Sequence, residues 1–140
     1  MWRVIAIAIA AFSIAGCAQL PPTAQDVQAK KFEPVAGKSV IYIVRHPMDA
    51  PTEGPIVIGD NGTISTHRGT YYRWEATPGK HLIAGYGPYN ASLIVQAEAG
   101  KIYYVQHSVY GNWRDGTLSM SLRQVDEHTG RKLVSHAQLL

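Results

Sequence analysis

From Lys38 onward, short apolar runs alternate with Gly, Pro and Asn. Ser39–Arg45 (Ser-Val-Ile-Tyr-Ile-Val-Arg) is apolar at both parities, so it reads as a central strand buried on two faces. Pro47 and Pro51 mark His46–Gly54 as a loop. Pro55–Gly59 and Thr63–His67 flank Asp60-Asn61-Gly62, a hairpin signal because Asn and Gly both tolerate positive φ. Thr70–Thr77 alternates, with Tyr72, Trp74 and Ala76 on one face and Tyr71, Arg73 and Glu75 on the other. After a Pro78-Gly79 turn comes Lys80–Tyr86. Further strands read at Ser92–Ala99 (Leu93, Val95 and Ala97 together), Lys101–Val109 (Tyr103, Val105 and Val109) and Thr117–Val125 (Leu118, Met120 and Leu122). Asp126–Leu140 offers a short helix with a possible break at Gly130. Seven to eight strands with regularly spaced turns predict an all-β fold, a single antiparallel β-sandwich over residues 38–140.

The first residues follow another pattern. Arg3 precedes the apolar run Val4–Ala15, broken only by Ser13. The run is shorter than the roughly 20 residues needed to span a bilayer. A basic start, a short apolar stretch and small residues are the signature of a signal peptide. Ile14-Ala15-Gly16-Cys17 resembles a bacterial lipobox, with Ile where Leu is usual. Residues 1–16 then read as a leader, and Cys17, the single Cys of the chain, as the lipidated first mature residue. The alternative for Cys17 is a buried thiol in a core helix. Each buried acyl CH₂ contributes about 0.8 kcal/mol, so two or three chains, such as palmitate, would anchor the protein durably. Ala18 after the Cys favours the outer membrane over the inner. Residues 17–37 contain Pro21, Pro22 and Pro34 and predict a flexible tether with a reach of roughly 25 Å. Within it, Thr23–Phe32 could form a short helix with a thin apolar face.

Composition narrows the classes. The chain has 140 residues, a length that suits one domain. Hydrophobic residues make up 46% and charged ones 16%, which excludes wholesale disorder. A lone Cys excludes an internal disulfide framework. Loss of Arg3 with the leader leaves one fewer than the 13 basic residues against 10 acids, so nucleic acid is not an expected partner.

Val40-Ile-Tyr-Ile-Val-Arg45, Thr70-Tyr71, Pro78-Gly79-Lys80-His81, Glu98-Ala-Gly-Lys-Ile-Tyr-Tyr104 and Leu122-Arg-Gln-Val125 together resemble the DUF2846 family of small, often lipid-anchored bacterial envelope proteins. The Pro-Gly-x-His turn is also similar to that of PEGA-type β modules. The resemblance covers roughly residues 38–130. It implies a β-sandwich and an envelope location, and it implies no reaction.

The candidate chemistry is sparse. His46, His67, His81, His107, His128 and His136 show neither His-x-His nor His-x₃-His spacing, so no metal site or cofactor is expected. There is no Gly-x-Ser-x-Gly elbow, and only Asp126-Glu127 are adjacent acids, so no catalytic residue is expected either. Asn61-Gly62-Thr63 and Asn90-Ala91-Ser92 match the glycosylation triplet but read as turn composition. Trp113 and Arg114 share a Gly-bounded loop, and Tyr86 and Tyr89 bracket another, which makes these four the candidate binding residues. The expected function is a non-catalytic interaction or structural module of the cell envelope, periplasm-facing, held to the membrane by its anchor and engaging an envelope protein. A glycan or small-ligand binder using the loop aromatics is the first alternative. A hydrolase with dispersed catalytic residues is the second.

Overall fold

The computed structural model describes residues 21–87 and 91–140; the leader, Cys17 and Tyr89 lie outside the described residues. Its elements in chain order are α1 (Ala24–Ala29), β1 (Ser39–Val44), β2 (Gly54–Ile58), β3 (Thr63–Thr66), β4 (Thr70–Ala76), β5 (Gly79–Ala84), β6 (Ser92–Ala97), β7 (Ile102–Tyr110), β8 (Ser119–Val125), α2 (Glu127–Ser135) and β9 (Gln138–Leu139). They form a five-stranded sheet, β8-β7-β1-β4-β9, facing a four-stranded one, β3-β2-β5-β6. The sandwich is as the strand pattern predicts, with the short β9 added beyond the expected seven to eight strands.

The antiparallel expectation holds for most pairs but not all. β1 pairs in parallel with β7, and β4 with β9. The chain leaves for the second sheet between β4 and β7 and returns in the direction of β1. Helix α2 is the crossover that brings β9 in alongside β4, and a connection of that kind is what parallel strands require.

Two apolar clusters follow from alternation. Ile41, Ile43, Ile56, Ile58, Trp74, Val95, Val105, Met120 and Leu122 fill the space between the sheets. The opposite parity of the five-stranded sheet, with Val40, Tyr42, Val44, Tyr71 and Tyr104, packs under the helices with Ala29 and Val134. β1 is therefore buried at every position. Each Ile or Val so placed contributes about 1.5–3 kcal/mol. In the tyrosine pairs, Tyr72 and Tyr103 pack against the inner cluster while Tyr71 and Tyr104 belong to the outer one. Tyr42 and Tyr104 stack with centroids 5.4 Å apart.

Three sequence expectations change. First, the stretch read as a flexible tether is folded from Thr23 onward. The Thr23 side chain caps α1 by accepting from Asp26 N. The Asp26 carboxylate accepts from Tyr71 Oη (2.9 Å), Leu139 N (3.0 Å) and Lys30 Nζ (2.9 Å), and Lys30 also donates to the Ala137 carbonyl. Burial alone would raise the Asp26 pKa; these donors outweigh it and hold the carboxyl below its ordinary value. Tyr42 Oη donates to the Ala29 carbonyl at 2.6 Å, closing the helix onto β1. Second, Gly130 does not break α2. It lies inside the helix, where an added Cβ would come 2.1 Å from Tyr104 Cγ, so the missing side chain is what seats α2 on the sheet. Third, the β2–β3 hairpin forms, but its left-handed residues are Gly59 and Gly62 around a 3-10 turn, not Asn61.

Candidate functional site

Strand direction collects several loops at one end of the sandwich. β1 finishes there at Val44, opposite Tyr71 near the start of β4. β7 runs parallel to β1 and continues to Tyr110, opposite Ser119 at the start of β8. The loops 45–53, 67–69 and 111–118 therefore open in the same direction.

This end is held by a buried polar cluster. Arg45, immediately after β1, is fully buried. Its Nη1 donates to the carbonyls of Thr52 (2.8 Å) and Thr66 (3.0 Å), its Nη2 to that of Ala50 (2.5 Å), and its Nε to Asp49 (3.1 Å). Asp49 in turn accepts from Val109 N at 3.0 Å. One guanidinium thus fixes the 45–53 loop and joins β1 to β3, the sort of buried charge tolerated only when fully hydrogen-bonded. Beside it, His107 is also fully buried, with Nδ1 2.9 Å from Thr66 Oγ1. Thr66 Oγ1 gives its one proton to the Gly54 carbonyl. The Nδ1 of His107 must then be the donor, which leaves Nε2 a buried acceptor without a partner among the described residues. Burial, reinforced by the Arg45 charge, lowers the His107 pKa to about 4.

Of the predicted binding residues, Trp113 and Tyr86 are each 66% exposed. Met48 on the 45–53 loop, which the sequence did not single out, is 85% exposed. The structure brings the Tyr86 and Trp113 loops to adjoining positions along β8, since Met120 N donates to the Tyr86 carbonyl at 2.7 Å. Trp113 rides on an ordered loop. Asn112 Oδ1 accepts from Arg114 N, and Thr117 donates to Asp115 from both its hydroxyl (2.6 Å) and its amide (3.0 Å). The Arg114 guanidinium lies 5.6 Å from the Trp113 ring centroid, within cation–π range.

Three of the six histidines gather in one groove, and His81 and His107 stand apart from it. His46, His128 and His136 line a shallow groove of about 470 Å³ with Lys132 and Leu133. His81 stands edge-on to Trp74 with centroids 4.8 Å apart and its Nε2 2.6 Å from the Thr77 carbonyl. No group of three His, Cys, Asp or Glu among the described residues could hold a metal ion. The outer face of the four-stranded sheet carries exposed Val57, Leu82 and Ile94, with Leu82 and Ile94 directly opposed and Val57 beside Ala84.

Sequence reasoning missed Arg45, Asp49 and Thr66, and weighed His107 only as a metal ligand. The signal was there for His107, which has the inward parity of Val105 and Val109. For Arg45 it was a cation closing a wholly apolar strand. No protein-family model, curated protein or solved structure matches the chain.

Proposed function

We propose that this chain is a bacterial cell-envelope lipoprotein, lipidated at Cys17, whose sandwich is a non-catalytic interaction or structural module facing the periplasm. The observation that carries the reading is the single Cys at the end of a short apolar leader, in Ile14-Ala15-Gly16-Cys17, with a folded body beginning only six residues later at Thr23. Ala18 favours the outer membrane as its site. The resemblance to DUF2846 and PEGA-type modules belongs to this proposal and rests on the residues quoted for it.

The chemistry of the body supports the reading. Its buried charged groups are committed to the fold: Asp26 to α1 and β9, Arg45 to loop carbonyls and Asp49. The open face bearing Val57, Leu82 and Ile94 is apolar surface suited to an envelope protein partner. The test is photo-crosslinking in the native envelope from Ile94, beside the full-length Cys17→Ser variant. One defined partner, captured from Ile94 and lost with Cys17→Ser, is the expected result. A lipidated chain that yields no crosslink from this face would overturn the interaction-module reading.

A further inference from the structure

We infer that the end of the sandwich bearing Met48, Tyr86 and Trp113 rests on the lipid surface that holds the anchor, so that the protein is a membrane-seated domain with a fixed orientation. This rests on the lipid anchor proposed at Cys17. Six residue steps separate Cys17 from Thr23, and fully extended they reach about 20 Å. Thr23 sits at the same end as the aromatic loops. With Pro21 and Pro22 it borders a cleft formed by Ser135–Leu139, and Gln138 N donates to the Gly69 carbonyl in the turn that leads into β4. From β9 to β8 the sheet is five strands across, about 19 Å at the usual spacing. The anchor and Trp113 can therefore meet one plane.

The chemistry of this end suits the water–lipid boundary. Trp113 and Tyr86 each present an apolar body with a polar tip, the combination that favours the headgroup layer. Met48 adds an almost fully exposed apolar side chain. Arg114 and Arg68 supply charge for lipid phosphates. The nearby acids Glu53 and Asp115 are occupied by hydroxyls of Ser65 and Thr117. The ordered 111–118 loop presents Trp113 without needing to fold on contact. A lipid surface is favoured over a glycan because the anchor brings this end to the bilayer first.

The mature chain would retain two tryptophans, Trp74 in the core and Trp113 on the loop, so fluorescence reports the seating directly. The full chain, purified from membranes with its N-terminal mass determined, is reconstituted in phosphatidylethanolamine–phosphatidylglycerol vesicles with and without acyl-brominated lipid. The Trp113→Phe variant isolates the Trp74 signal. Brominated lipid is expected to remove at least half of the Trp113 emission, and the bilayer to shield it from aqueous iodide, with Trp113→Phe unchanged. A chain lipidated at Cys17 whose Trp113 stays unquenched by lipid and open to iodide would overturn this inference alone. Retention of that chain on peptidoglycan sacculi through Trp113 would assign the loop to a glycan instead. A chain without lipid on Cys17 would overturn the anchor and the seating together.

Discussion

The two sheets are built from similar residues yet live in different environments. The five-stranded sheet is covered on both faces, by its partner sheet and by α1 and α2, and β1 within it has no exposed position. Among the described residues the four-stranded sheet is covered on one face, and β2 alternates strictly between buried and exposed. An apolar side chain therefore means different things on the two. Val44 is core, whereas Val57 is surface. The difference comes from two short helices, each seated by an unusual residue: a buried aspartate in α1 and a glycine in α2.

The contrast can be broken in order of expected effect. Arg45→Ala takes from Asp49 its charged partner and from three carbonyls their guanidinium donor at the seam between the sheets, and should cost about 4 kcal/mol in chemical denaturation. Gly130→Ala improves helix propensity by about 1 kcal/mol. It nevertheless forces α2 off Tyr104, and a net loss of about 3 kcal/mol is expected, read by the same method.

His107 adds a pH dependence of comparable size. Its folded pKa is lowered from 6.5 to about 4, so between those values the unfolded chain binds the extra proton. The contribution is fully present above pH 6.5 and is lost as pH falls toward 4, up to about 3 kcal/mol. Urea midpoints measured from pH 7 to pH 4 should show this slope, and His107→Gln should flatten it. The smallest effect belongs to the open face: Leu82→Thr should change stability by less than about 0.5 kcal/mol, because Leu82 already meets solvent. A large loss there would show that the face is covered.

Strands and inward parities were legible because alternation is local; Leu118, Met120 and Leu122 turn inward as their spacing dictates. The second cluster was harder to read. Tyr71 and Tyr72 are chemically alike, and only the helices decide that both faces of β4 are packed. Helix α1 gave a thin apolar signal because its buried residues are Asp26 and Ala29, and the burial of Asp26 rests on donors from β4 and β9, distant in sequence. The exposure of Trp113 and Tyr86 followed from their loops. The meeting of those loops depends on long-range contacts, the bond from Met120 to Tyr86 and the close approach of Gly85 and Gly87 to Ser119 and Met120, that no local pattern encodes.

The grip of Asp26 on Leu139 has a mechanical side. A pull on the amino-terminal side of the domain enters through α1 and passes at once, through Asp26 and Lys30, to the segment around β9. The first and last described segments thus form a closed clasp at the edge of the five-stranded sheet. Tension is taken up between two neighbours, and the interior of the sandwich stays slack.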